Sequence, residues 1–181
     1  MKNLIFALLF VPLSLTATAS DSQSTNNWVG GVGFIHLSDD YDNLSMSLNG
    51  IVGSLGYKIE SGDNFSLIPL VRIGFGVGSD TLTANSKGKL VDVDVELDSF
   101  LALSLRGQYQ LDNGVYLFAT PTYSNSQFTA SSRGYSETDD EWEFGVGGGI
   151  GYNFGATTSA EFSYEQYDGI DAITLGLKFD F

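Results

Sequence analysis

The C-terminal segment alternates strictly. Ile173, Leu175, Leu177, Phe179 and Phe181 share one parity, and Ala172, Thr174, Gly176, Lys178 and Asp180 share the other. A helix would scatter such a set around its circumference, whereas a strand puts each parity on one face. Two segments upstream repeat the pattern. Ala160, Phe162 and Tyr164 oppose Ser159, Glu161, Ser163 and Glu165. Before them, Trp142, Phe144, Val146, Ile150, Tyr152 and Phe154 oppose Glu141, Glu143, Gly145, Gly147, Gly149 and Gly151.

Earlier stretches extend the series. Val115 to Ser124 is a strand of open phase: either Val115, Leu117, Ala119 and Tyr123 form the outer face, or Tyr116 and Phe118 do. The strand before it carries Val91, Val93, Val95, Leu97, Leu101, Leu103, Leu105, Tyr109 and Leu111 on one parity, against Asp92, Asp94, Glu96, Asp98, Ser104, Arg106 and Gln108. Phe65, Leu67, Pro69, Val71, Ile73, Phe75 and Val77 make another, opposite Ser66, Arg72, Gly74, Gly76 and Gly78. Leu44, Met46 and Leu48 change parity with Ile51, Leu55, Tyr57 and Ile59, which a bulge near Asn49-Gly50 would reconcile. Trp28 to Leu37 completes the set, with its phase open.

Connections alternate in length. Ser61-Gly62-Asp63-Asn64, Asp112-Asn113-Gly114 and Gly155-Ala156-Thr157 are tight turns rich in Gly, Asn and Asp. Between them lie Ser38 to Asn43, Ser79 to Leu90, Asn125 to Asp140 and the short Asp168 to Asp171, all expected as polar loops. Eight strands so joined predict an all-β fold, an antiparallel up-and-down barrel with both termini on the turn side.

Period two does not say which face points outward, because a soluble barrel directs its apolar side chains inward. Three features favour a membrane barrel. Repeated glycines on the polar parity suit a narrow lumen where eight strands converge. Tyr57, Phe65, Tyr109, Tyr152, Phe154, Phe179 and Phe181 gather toward the turns, while Trp142, Phe144 and Tyr164 lie toward the loops, as two aromatic girdles would. Acidic residues concentrate in or beside the loops.

The N-terminus reads as a targeting segment. Lys2 precedes the apolar stretch Leu4 to Leu15, and Ala17-Thr18-Ala19 offers small residues for cleavage. The stretch is too short to span a bilayer as a helix, and a short anchor is its alternative reading. The expected organisation is a signal peptide over 1–19, a polar lead-in over 20–27, and a barrel domain over 28–181. With no Cys and one His in the chain, disulfides, thiolate chemistry and a multi-histidine metal site are excluded. A net charge of -14 repels phosphate, so nucleic acid is not an expected partner.

Several constellations bear on function. Arg72, Arg106 and Lys178 share the lumen parity with Glu143, Glu161 and Glu165. Charges in a narrow lumen must pair or keep water, which predicts a plug of ion pairs; a rearrangeable gate is the alternative. His36 and Ser38 project from the same face of a strand, as a base and a nucleophile must. The pair is similar to the His-x-Ser of outer-membrane lipid A deacylases, although it sits earlier in the chain and no acidic orienting partner is evident. An ordinary polar contact at a strand end is the plainer reading. Asp39-Asp40-Tyr41-Asp42-Asn43 and the ladder Asp92, Asp94, Glu96, Asp98 offer hard oxygen ligands, but the spacing of a calcium loop is absent. No metal or cofactor is expected. The glycines from Gly145 to Gly151 lie within a strand, so they read as space savers and not as a phosphate cradle.

Taken together, the strand Trp142 to Phe154, its tight turn, the Tyr-rich strand to Tyr167 and the last strand resemble the OmpA/OmpX-like outer-membrane β-barrel superfamily. Gly56-Tyr57-Lys58-Ile59 fits the same pattern. The resemblance implies a porin-like barrel in the outer membrane of a Gram-negative cell, with periplasmic termini, among membrane lipids and lipopolysaccharide. It also implies that Leu177, Phe179 and Phe181 are read by the barrel-assembly machinery. It implies no single activity. The expectation is a non-enzymatic barrel serving envelope integrity or surface interaction through acidic loops, with a lipid A hydrolase or a narrow pore as alternatives.

Overall fold

A computed structural model describes residues 27–41, 44–86, 89–132 and 135–181. The expected signal peptide 1–19, and the lead-in up to residue 26, lie outside the described residues. The elements are β1 (Trp28–Tyr41), β2 (Leu44–Tyr57), β3 (Ile59–Glu60), β4 (Phe65–Gly76), β5 (Ser79–Ser86), β6 (Lys89–Gln110), β7 (Val115–Ser132), β8 (Tyr135–Asn153), β9 (Thr158–Gln166) and β10 (Ile170–Asp180). Hydrogen bonding runs β4-β2-β1-β10-β9-β8-β7-β6, and β6 returns to β4. Eight antiparallel strands therefore close on themselves, which removes the sheet edges of the barrel wall. β3 only prolongs the β2–β4 turn, and β5 continues β4 past a break at Val77-Gly78, where Gly78 takes a positive φ of 88°.

Apolar residues face out. Phe34, Leu55, Ile73, Leu103, Phe144 and Leu175 are each half exposed or more, which in water would be a continuous oily belt far larger than soluble monomers show. Aromatics bound that belt. Trp28 meets Tyr57 edge-to-face at 5.5 Å on the turn side, and Tyr123 stacks on Trp142 at 4.9 Å on the loop side.

The two open phases are settled by closure. In β1, Trp28, Val32 and Phe34 face out while Val29, Ile35 and Leu37 are buried. In β7, Leu117 and Tyr123 face out, and Tyr116 and Phe118 fill the lumen.

Three expectations are corrected. No bulge occurs at Asn49-Gly50: β1 and β2 pair in one unbroken register from Trp28↔Tyr57 to Tyr41↔Leu44. Met46 and Leu48 simply face inward, into an apolar layer. The parity change lies instead in β6, where the register with β7 shifts between Leu97 and Ser99. Val95 and Leu97 thus point inward although Leu101 and Leu103 point outward, and Asp94, Glu96 and Asp98 are exposed on the outer side. Finally, the described residues within Ser79 to Leu90 and Asn125 to Asp140 are paired strands and not loops. β5 pairs with β6 from Ser79↔Glu96 to Ser86↔Lys89, and β7 with β8 out to Ser132↔Tyr135. Polar sequence on both faces hid strands that stand clear of the lipid belt, where no apolar face is required.

The lumen is layered. Toward the loops, Ile35, Leu37, Leu48, Val52, Val95, Leu97 and Phe100 pack as one apolar cluster. Beneath it lie polar and charged side chains, and a smaller cluster of Val29, Ile68 and Leu70.

Candidate functional site

The polar layers are built by inward positions of β4, β6, β7, β9 and β10. Arg72 on β4 forks onto Glu165 of β9, Nη1 to Oε2 at 2.5 Å and Nη2 to Oε1 at 2.9 Å. Thr122 bridges the pair, donating to Glu165 Oε1 at 3.1 Å and accepting from Arg72 Nη2 at 3.1 Å. Arg72 Nη2 also donates to the Tyr167 hydroxyl at 3.3 Å, and Ser104 Oγ lies 3.0 Å from Thr122 Oγ1. Both ions are almost fully enclosed, so this bidentate geometry and the added hydrogen bonds are what offset their desolvation.

A second charge centre lies nearer the turns. Arg106 Nη1 donates to Glu161 Oε1 at 2.7 Å, and the Tyr116 hydroxyl donates to the same oxygen at 2.7 Å. The guanidinium sits 4.1 Å over the Phe118 ring. Arg72, Arg106, Glu161 and Lys178 line a cavity of about 60 Å³, room enough for ordered water.

Room for these side chains comes from the glycine row of β8. A Cβ on Gly151 would fall within 2.5 Å of the Tyr116 hydroxyl oxygen, one on Gly149 within 2.8 Å of Phe118 Cε2, and one on Gly147 within 2.6 Å of Glu165 Cα. Each glycine accommodates a bulky neighbour, which gives the space-saver reading its physical content.

Two residues of the expected ion-pair set depart from it. Lys178 pairs with Asp180, Nζ to Oδ1 at 3.3 Å, and stands 4.9 Å over the Tyr116 ring. The nearest carboxylate on the same strand face takes it, two residues along. Glu143 meets no cation among the described residues. It lies above the apolar layer, with Asp39, Asp139, Glu141 and Asp168 around one hollow. Sequence reasoning missed Tyr116, Thr122 and Tyr167 as partners, because their inward direction depends on strand phase. The Asp180 partner was readable from its spacing to Lys178.

His36 and Ser38 face outward at the loop-side margin of the belt. His36 Nδ1 lies 2.9 Å from Asn49 Oδ1, its partner across β1–β2. Ser38 is in register with Asp171 of β10, whose carboxylate accepts from the Tyr164 hydroxyl at 2.7 Å. No hydrogen bond joins His36 to Ser38. Among the described residues no cluster of three or more His, Asp or Glu is arranged to hold a metal ion.

The comparisons agree with this architecture. The structure is similar to that of Ail, the attachment invasion locus protein of Yersinia pestis, at 16% identity and a TM-score of 0.58, covering 85% of this chain and 97% of that one. The complex of Ail with the heparin analogue sucrose octasulfate matches at 16% identity and a TM-score of 0.60, with the same coverage. Neisserial surface protein A matches at 13% identity and a TM-score of 0.57, over 86% of this chain and 97% of that one. No curated protein matches by sequence. The family described as the outer membrane protein beta-barrel domain matches residues 5–181. A closed eight-stranded wall, an outward apolar belt and that match over nearly the whole length lead to one statement: the chain belongs to the outer membrane protein beta-barrel domain family.

Proposed function

We propose that this outer-membrane barrel is non-enzymatic and non-conducting, that it serves envelope integrity, and that it makes surface contacts through the acidic end of the barrel. The observation that carries this reading is the stacking of an apolar layer on a bidentate buried ion pair. Together they fill most of the lumen with side chains and leave room for only a few waters. The first and last strands of the barrel meet at the short-turn end, where Phe181 N donates to Trp28 O at 2.9 Å; in this reading that end is periplasmic. Leu177, Phe179 and Phe181 form the outward stripe offered to the barrel-assembly machinery. Lipopolysaccharide surrounds the belt. The acidic margin would meet its phosphates through divalent cations, since like charges repel.

Ail was solved with a polysulfated ligand, but an acidic surface does not suit a polyanion. Heparin is therefore expected not to bind this chain. Two measurements test the whole reading. Purified chain in planar bilayers should show no conductance steps, and cells lacking it should admit more of a dye that an intact outer membrane excludes. Regular conductance steps, or unchanged dye entry, would overturn it.

A second reading rests on one bond. Asn49 engages Nδ1 of His36, which leaves Nε2 as the ring nitrogen available to a hydroxyl. With Ser38 on the same lipid-facing side, these residues are the parts of an acyl hydrolase acting on lipid A. Ser38→Ala with mass spectrometry of lipid A decides it: an unchanged acyl pattern removes the enzyme.

A further inference from the structure

Three cations reach one small space. The cavity of about 60 Å³ inside the barrel is lined by Arg72 of β4, Arg106 of β6 and Lys178 of β10. Among the described residues, Glu161 is the one carboxylate on its wall. The other two carboxylates that hold these cations stand outside that wall. Glu165 grips the far end of Arg72, and Asp180, beside Lys178, keeps 34% of its side chain exposed.

Glycines leave the space open. Gly31 and Gly33 of β1 and Gly176 of β10 line it. The glycines of β8 make way for the rings of Tyr116 and Phe118, but on this side the neighbours are small. A Cβ on Gly31 would meet Ser54 Oγ, and one on Gly33 would meet Thr174 Cγ2.

Donors outnumber acceptors around it. Arg72 turns both Nη atoms to Glu165, and its Nε is buried with no hydrogen-bond partner among the described residues. Arg106 Nε and the Thr174 hydroxyl oxygen are in the same position. Lys178, with its side chain 6% exposed, has its ammonium 3.3 Å from Asp180. On the acceptor side, Glu161 Oε1 already takes both Arg106 and the Tyr116 hydroxyl. A buried N–H left unmatched costs about as much as a lost hydrogen bond, roughly 1–3 kcal/mol. Water answers it imperfectly here, because a water must also place two protons of its own among cations. An acceptor that carries no proton avoids that conflict.

We propose that this cavity is a binding site for a halide-sized monovalent anion, held by Arg72 Nε, Arg106 Nε, the Lys178 ammonium and the Thr174 hydroxyl. Size and charge set the class. The space admits an ion little larger than water, and a divalent or extended anion would be pressed against Glu161. Once bound, the ion supplies the acceptor that both guanidiniums lack and links β10 to β4 and β6 through the lumen.

The inference goes beyond the proposed function and does not depend on it. The full chain is refolded in detergent, checked by heat-modifiable gel migration, and crystallised. Crystals soaked in sodium bromide and measured at the bromine absorption edge should show an anomalous peak in the cavity, within hydrogen-bonding reach of Arg72 Nε and Thr174 Oγ1. Bromide at surface sites only would overturn the proposal. In solution, urea unfolding is compared in sodium chloride and sodium gluconate at one ionic strength. Chloride should raise the midpoint progressively with its concentration, as a ligand of the folded state does. Thr174→Val keeps shape and charge and should weaken the apparent chloride affinity by about tenfold, the loss of one hydrogen bond to an ion. Lys178→Met should abolish the chloride effect. Equal midpoints in the two salts, or an unchanged chloride dependence in Thr174→Val, would overturn the site and leave the barrel's envelope role standing.

Discussion

Arg72 and Glu165 stand 93 residues apart in the chain and meet in the lumen at 2.5 Å. They join opposite parts of the wall, since β4 and β9 share no backbone pairing. The pair therefore acts as a cross-brace inside a cylinder whose backbone hydrogen bonds join only neighbouring strands. Removing one partner leaves the other enclosed and without its ion pair. Glu165→Gln should lower stability by about 3–5 kcal/mol, the cost of leaving a buried charge unpaired. Arg72→Met combined with Glu165→Leu should restore much of that loss. Urea unfolding in lipid vesicles measures both, and a double variant as weak as the single one would refute the cross-brace account.

Glycines of the lumen and glycines of the lipid face should respond oppositely to a methyl group. Gly151→Ala forces carbon into the Tyr116 ring and should cost about 1–3 kcal/mol through overpacking. Gly53 faces outward, and a Cβ there would meet nothing closer than 3.9 Å. Gly53→Ala should be neutral or stabilise by about 0.4–1 kcal/mol, through the unfolded chain. Comparing the two unfolding midpoints checks the packing argument.

Charge on the outer face should be tolerated according to height. Leu175 is 63% exposed within the apolar belt, and Tyr135 is 85% exposed on the protruding sheet. Leu175→Arg should cost about 2–4 kcal/mol near mid-depth. Tyr135→Arg should change stability by no more than about 0.5 kcal/mol, as ordinary surface substitutions do. The fraction migrating as folded barrel on an unheated gel reads the difference. Equal tolerance at both sites would place Leu175 in water.

On the proposed reading, in which Phe181 is part of the stripe offered to the assembly machinery, this aromatic has two separable roles. Phe181 exchanges backbone hydrogen bonds with Trp28, and a side-chain substitution leaves these in place. Phe181→Ala should therefore refold in detergent with nearly unchanged yield, while the amount assembled in the outer membrane of living cells falls several-fold. A matched fall in both measurements would reduce Phe181 to a stability residue.

Much of the barrel was legible because period-two alternation is local. From Phe65 to Val77, and within each strand between Trp142 and Phe181, one parity is predominantly apolar, so each strand announces its lipid face by itself. Turn chemistry was equally local, as at Asp112-Asn113-Gly114, where Asn113 takes a φ of 65°. Readings failed where inside and outside share the same chemistry. Met46, Leu48, Val95 and Leu97 are apolar yet face the lumen, so their parity conflicted with the lipid rule until closure assigned them to one inner layer. The segments 79–90 and 125–140 lost their signal because strands beyond the bilayer need no oily side.

What the amino-acid order determined alone was the kind of wall: eight short amphipathic strands, tight turns alternating with longer connections, and charges set against glycines on the inner parity. Only the closed structure decided which charges meet. Arg72 finds Glu165, Arg106 finds Glu161, His36 finds Asn49, and Glu143 is left among acids at the rim. The physical reason is that alternation depends on neighbours two residues apart, whereas contacts across a lumen depend on the register of every intervening strand, and one shifted pair in β6 redirects all that follow.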